Sequence, residues 1–370
     1  MARVSWFGFP LRSHTVPSLP VVSALVRAGA EVTFHTTPDY RAMVETAGAR
    51  FAPYPSICEQ IGREKDLRSH VRTLVSIGTA IVPTLVASRS SGPPADLVVF
   101  DASAPWGRAV ARAWNTASAS SVTTFVFTRA MLQMIRGAAW MTGDDIDVLA
   151  TAGDLKVVYT SAMFQPAGAF LDDTHLFVGP LLEGRRRDGV PVEPEGSRPL
   201  AYVSLGTVYN DDVTLLERIA AQLSSAGWQV IVSLGAEGGS AAGEWPPHVR
   251  AYPFVDQLAV LARARLVVSH GGLQTATEAF AHGVPLIVIP HDVDQHVVGR
   301  RAAGLGAAVM LEETAMRAEE FSAALARIEA GRPQFEQAAA AIGRSFAGAM
   351  PLATAAQRLL DLPAARTRTS

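Results

Sequence analysis

The chain has 370 residues, of which 49% are hydrophobic and 18% charged, with a net charge of −2. That composition supplies ample core for two domains, or one large one, and excludes a disordered chain; the near-neutral charge gives no electrostatic reason for a nucleic-acid or anionic-membrane partner. The single cysteine, Cys58, excludes an internal disulfide framework and any cysteine-based zinc site, and fits a reducing compartment.

The opening MARVSWFGFP lacks the length and arrangement of a signal peptide, and no apolar run is long enough to span a bilayer, so a cytoplasmic protein is expected. Val4–Phe7 reads as a strand, Pro17–Arg27 as a helix, Glu31–Thr36 as a strand and Arg41–Thr46 as a helix. Leu97–Phe100 is a strand ending at Asp101, a helix follows near Pro105–Trp114, and Val122–Val126 and Leu155–Tyr159 read as strands. Residues Gly179–Pro199 are rich in proline, glycine and charge and have no periodicity, which marks a linker. Alternation restarts with strands at Ala201–Leu205, Gln229–Leu234, Leu266–Val268, Leu286–Ile289 and Ala307–Met310. Helical patterns then cover Thr314–Glu329, Gln334–Phe346 and Ala353–Leu360. Strands alternating with helices predict an α/β fold with mostly parallel sheets. The expected division is residues 1–180 as the first domain, 181–199 as linker and 200–352 as the second domain. A helix at 353–362 is expected to pack back on the first domain, with 363–370 a disordered tail.

Two open α/β sheets in tandem are expected to face each other across a cleft, and ligands of such sheets bind beyond the carboxyl ends of the strands. The richest such position is VVSHGGLQTATEAFAHGVPLIVIPHDVDQ. A buried strand breaks into His270-Gly271-Gly272, and a helix starts near Leu273. The first amides of a helix have no intrahelical partner and its dipole favours negative charge, so this turn predicts a phosphate site. A second apolar run ends in Asp294-Gln295, two side chains suited to sugar hydroxyls.

His14 follows the first strand, and Asp101 ends a strand whose apolar run, LVVF, reads as central and buried. A histidine can take a proton from a hydroxyl while a carboxylate behind it fixes the tautomer and stabilises the imidazolium. The alternative is structural, with His14 a hydrogen-bond partner at a helix entry and Asp101 a helix cap. Geometry decides between them.

Ser13-His14-Thr15-Val16-Pro17, Asp101, Ser204-Leu205-Gly206-Thr207 and the ordered set His270, Gly271, Gly272, Thr275, Glu278, Gly283, Pro285, Pro290, Asp294 and Gln295 together resemble one family. It is the family 1 type, UDP-glycosyltransferase-like enzymes of the GT-B fold, in particular the bacterial natural-product glycosyltransferases. The resemblance spans almost the whole chain and implies two Rossmann-like parallel-sheet domains facing across a cleft. It implies His14 and Asp101 as the catalytic pair of a metal-independent, inverting hexosyl transfer. For the donor it implies Gly206 and Thr207 at phosphate or ribose, and the backbone of Phe254 and Val255 at the base. His270, Gly272, Gln274 and Thr275 would hold the diphosphate, Glu278 the ribose, and Asp294 and Gln295 the sugar. Two positions depart from the family: Ser13 replaces its glycine, and Gln274 stands where small residues are common.

The implied co-substrate is a UDP- or dTDP-linked sugar, with no cofactor and no metal. The implied acceptor is a hydrophobic secondary metabolite. Phe125, Phe127, Met131, Met134 and Trp140 would shape an adaptable apolar pocket for it, although residues of these types are as often ordinary core. The expected partners are these small molecules, with no nucleic acid and no membrane, in a monomer or homodimer. Other readings are a silent nucleotide-binding homologue, a lipid-linked N-acetylglucosaminyltransferase and a sugar-nucleotide epimerase. A dinucleotide oxidoreductase would need G-x-G-x-x-G after the first strand, which GFPLRSH does not supply.

Overall fold

The computed structural model describes residues 1–61, 67–88, 94–126, 128, 133, 153–182, 196–206, 213–235, 245–291, 293–312 and 317–369. They form two compact units, Met1–Leu181 with Ala349–Ser370, and Leu182–Gly348. The second crossing therefore falls at 348/349, a few residues before the expected 352/353. Most of the expected linker lies outside the described residues.

In the first unit the strands are β1 (Arg3–Phe7), β2 (Glu31–Thr36), β3 (Arg50–Pro53), β4 (Leu97–Asp101), β5 (Ala117–Val122), β6 (Leu155–Val158) and β7 (His175–Phe177). They form a sheet in the order β3-β2-β1-β4-β5-β6-β7, and every pairing is parallel. Helices α1 (Arg12–Arg27), α2 (Arg41–Thr46), α3 (Leu67–Ala87) and α4 (Pro105–Ala113) connect or cover these strands. A parallel sheet covered on both faces needs strands that are apolar on both faces. In β4, Leu97 and Val99 enter the core beside Val4, Trp6 and Val22, whereas Val98 and Phe100 enter the one beside Phe7, Trp106 and Ile77.

The second unit repeats the scheme with β8 (Leu200–Ser204), β9 (Gln229–Ser233), β10 (Val249–Tyr252), β11 (Leu266–Ser269), β12 (Leu286–Val288) and β13 (Ala308–Met310). Their order is β10-β9-β8-β11-β12-β13, again parallel. The helices are α5 (Val213–Ser225), α6 (Gln257–Leu261), α7 (Leu273–Ala281), α8 (Val293–Gly304), α9 (Ala318–Ala330) and α10 (Arg332–Ser345). A core of Val203, Val230, Val232, Leu266 and Val268 is closed by Leu216, Ile219, Phe321 and Phe335.

The last helix, α11 (Leu352–Thr369), belongs to the first unit. Ala355, Ala356 and Leu359 are fully buried in the β1–β2–β4 core. The helix runs through Pro363 to Thr369, where a disordered tail was expected. Proline at 363 removes one bond, to the Leu359 carbonyl, while the alanines and arginine that follow favour helix.

Two further expectations shift. Helix α1 starts at Arg12 instead of Pro17, so His14 sits in its first turn. Its N-terminal residue Leu11 makes no side-chain cap, and Pro17 and Pro20 both lie inside, so the usual start signals point past the true start. The fifth strand is Ala117–Val122, before the apolar run that suggested Val122–Val126. Among the described residues, no helix is long and apolar enough to cross a membrane.

Candidate active site

Adjacent strands β1, β4 and β5 bring three side chains together at their carboxyl ends. His14 is carried by the first turn of α1, Asp101 is the last residue of β4, and Thr123 follows β5 directly. His14 Nδ1 lies 3.1 Å from Asp101 Oδ1 and 2.6 Å from Thr123 Oγ1. Thr123 donates to Asp101 Oδ2 at 3.1 Å, and the Ser103 amide donates to Oδ1 at 2.8 Å. All three side chains are buried, His14 at 9% and Asp101 at 2% exposure. Phe9 packs edge-on against the imidazole, with ring centroids 4.8 Å apart. A carboxylate that engages one ring nitrogen in this way can orient a histidine for general-base work. Burial pushes the nearby Tyr159 phenol up, the Asp101 charge adding and a Ser121 hydrogen bond opposing, so it remains a neutral hydroxyl.

In the second unit the strand–glycine–helix turn forms as expected. Gly272 is the residue before α7 and makes no side-chain cap, and the first helical bond runs from the Ala276 amide to the Gly272 carbonyl at 3.0 Å. The amides of Leu273, Gln274 and Thr275 therefore precede the intrahelical ladder. The His270 ring sits between two glycines. A Cβ at Gly206 would stand 2.8 Å from its Cε1, and one at Gly272 2.7 Å from its Nε2. Gly206 also has φ +94°, and Gly271 φ +88°, a region that disfavours side chains. His270 Nδ1 is buried without a hydrogen bond among the described residues. Burial, with His291 adding and the Ser204 backbone opposing, lowers the His270 pKa to about 4, so the ring is a neutral donor and acceptor near pH 7.

Glu278 is fully buried on α7. Gln257 donates to its Oε2 at 2.5 Å and Gln274 to its Oε1 at 3.1 Å, while Tyr202 donates to Gln257 at 3.0 Å. Two side-chain amides donate to the carboxylate and hold it in place. Asp294 is exposed in the first turn of α8 and accepts from the Gln295 amide at 2.9 Å. The buried Gln295 Oε1 accepts from the His291 amide at 2.8 Å. Val255 is buried and Phe254 is 46% exposed.

Thr207, Phe127, Met131, Met134 and Trp140 lie outside the described residues. Phe125 is 2% exposed, with its ring edge-on to Phe164 at 5.6 Å. Its ring packs against Phe164, and it lies close in sequence to the other residues expected to shape the acceptor pocket. The expectations from sequence omitted Thr123 and Gln257. Thr123 becomes visible once β5 is placed correctly, since it is then the first residue after a strand. Gln257 opens a helix capped by Asp256, whose carboxylate accepts from the Ala259 amide at 3.1 Å. Among the described residues, no three His, Cys, Asp or Glu side chains converge as a metal site.

Comparison with known proteins points the same way. Residues 217–362 match the family profile described as Erythromycin biosynthesis protein CIII-like, C-terminal domain. The demethyllactenocin mycarosyltransferase of Streptomyces fradiae is 27% identical over 369 residues, covering 89% of this chain and 79% of that protein. The solved structure of the glycotransferase of kitacinnamycin has a TM-score of 0.83 at 24% identity and covers 98% of both chains. The glycosyltransferase VinC, solved in complex with dTDP, has a TM-score of 0.73 at 21% identity, covering 98% of this chain and 100% of that one. With two parallel-sheet units of seven and six strands, the chain has the GT-B fold of these neighbours, carries an EryCIII-like C-terminal domain over residues 217–362 and is similar to glycosyltransferases of antibiotic biosynthesis.

Proposed function

We propose that the enzyme transfers a hexosyl group, with inversion and without a metal ion, from a UDP- or dTDP-sugar to a hydroxyl of a hydrophobic small molecule. The observation that carries this is the buried contact of His14 Nδ1 with Asp101 at 3.1 Å. The proposal assigns the acceptor to the first unit and the donor to the second. His14 Nε2 takes the proton of the acceptor hydroxyl as its oxygen attacks the anomeric carbon opposite the diphosphate. The C–O bond to the sugar forms as the bond to the diphosphate breaks, so an α-linked donor gives a β-glycoside. Asp101 stabilises the imidazolium. The diphosphate gains charge in the transition state, where the amides opening α7 and the His270 ring act on it more strongly than on the ground state.

Glu278 is the proposed partner of the ribose hydroxyls, and Asp294 with Gln295 of the sugar hydroxyls. The backbone at Phe254 and Val255 is the proposed site of the base. The dTDP complex of the VinC neighbour supports a dTDP donor; the UDP alternative stays within the same chemistry. The buried Cys58, whose thiol burial and then the Glu59 charge push up to about 12, suits a reducing, cytoplasmic setting. A panel of UDP- and dTDP-sugars scored by thermal shift identifies the donor, since a ligand bound only by the folded state raises stability. His14→Ala is expected to lower turnover roughly 10²–10⁴-fold while leaving donor binding intact. Full turnover in that variant removes His14 as the base.

A further inference from the structure

His14 Nδ1 lies within hydrogen-bond distance of the Thr123 hydroxyl as well as of the Asp101 carboxylate. We propose that Thr123 is a positioning residue that locks His14 in its Nδ1–H form, leaving Nε2 bare to accept the proton. The inference rests on the reading of His14 as the base.

The ring of contacts allows one consistent arrangement of protons. An ionised carboxylate only accepts hydrogen bonds, and a hydroxyl has one proton to give. Asp101 Oδ2 lies 3.1 Å from Thr123 Oγ1, so the Thr123 proton points at the carboxylate. Thr123 Oγ1 then presents a lone pair to His14 Nδ1 at 2.6 Å, and the ring nitrogen must carry the proton. Turning the Thr123 proton to the ring instead takes a donor from Oδ2. It also sets the bare Nδ1 lone pair against Oδ1 at 3.1 Å, lone pair to lone pair. The direct contact with Asp101 is the longer of the two at Nδ1, and Oδ1 is shared with the Ser103 amide at 2.8 Å. Thr123 therefore makes the short bond to the base and relays the carboxylate's negative charge to it. Its own place is fixed because it is 7% exposed and follows directly on β5, which pairs along β4.

The test uses the full chain labelled with 15N-histidine and Thr123→Val, Thr123→Ser and His14→Gln variants. The chain has nine histidines, and the His14 resonances are those absent from His14→Gln. In the native chain Nδ1 is expected to show a protonated shift and Nε2 a bare one. In Thr123→Val both shifts move toward the average of a tautomer mixture, and Thr123→Ser restores the native pattern. Turnover is read as nucleoside diphosphate release from dTDP-glucose or UDP-glucose with a hydroxycoumarin acceptor. Loss of one hydrogen bond to the developing cation lowers kcat about tenfold in Thr123→Val, with both KM values near native. Native tautomer shifts in Thr123→Val overturn the proposal. So does a raised donor KM at unchanged kcat, which would make Thr123 a donor contact. Retained turnover in His14→Gln would instead sink the reading of His14 as the base, while the shifts still report whether Thr123 governs the ring.

Discussion

His270 is the side chain around which the proposed donor site of the second unit is built, and Gly206 and Gly272 stand where a Cβ would meet its ring. The edge of its ring from Cε1 to Nε2 is approached by both Gly206 and Gly272, so a methyl group at either position would meet the ring. Gly272 has φ −59°, which any residue adopts, so the space alone makes it glycine. Gly272→Ala is therefore expected to keep the fold and displace the imidazole. Calorimetric titration with UDP or dTDP should show affinity reduced about tenfold or more, at a stability cost of roughly 1–3 kcal/mol for overpacking. Native affinity for both nucleotides would show that the ring does not touch the diphosphate. Glu278 has a different logic. A buried carboxylate is costly unless hydrogen-bonded, and Gln257 and Gln274 meet that cost from two helices before any ligand arrives.

At the scale of elements, α7 depends on what stands behind it. Helix α10 crosses it so closely that a Cβ at Gly343 would run into the Phe280 carbonyl and stand 3.3 Å from the Ala281 Cα. Backbone cannot rotate away as a side chain can. Gly343→Ala should push the helices apart and lower stability by about 1–3 kcal/mol, read as a lower urea midpoint at unchanged slope. A native midpoint would mean that the two helices move apart at no cost in stability. The same physics explains which elements were legible in the sequence. Strands such as LVVF and LIV are continuous apolar runs because parallel sheets bury both faces. β5 reads ASASSV and escaped notice, although it lies between β4 and β6 and Ser120 and Ser121 are fully buried. Its backbone is approached closely by Gly153, where a Cβ would come within 2.5 Å of the Ser120 amide. The misplaced strand hid Thr123 as well. His14, Asp101 and the His270–Glu278 block were legible because each follows a strand or opens a helix. The Gln257 amide was not, since nothing in the local pattern says which buried carboxylate a glutamine will reach.

For the whole molecule, the chain leaves the first unit near Leu181 and re-enters it at Ala349, so the first unit is completed by α11, far along the chain from its strands. Each unit has its own apolar core, so the two are expected to unfold as separate cooperative blocks. Two perturbations can then be aimed at different blocks. Leu359→Ala removes a fully buried side chain from the first core, at a cost of about 2–5 kcal/mol. Nucleoside diphosphate at a hundred times its Kd adds about 2.7 kcal/mol to whichever block binds it. Scanning calorimetry is expected to show two transitions. Leu359→Ala should lower one by roughly 5–15 °C and leave the other in place, while UDP or dTDP should raise that second one by about 5–10 °C. A single transition moved by both perturbations would mean that the units unfold as one. A nucleotide shift on the transition that Leu359→Ala lowers would put the donor in the first unit, against the assignment of diphosphate to the start of α7.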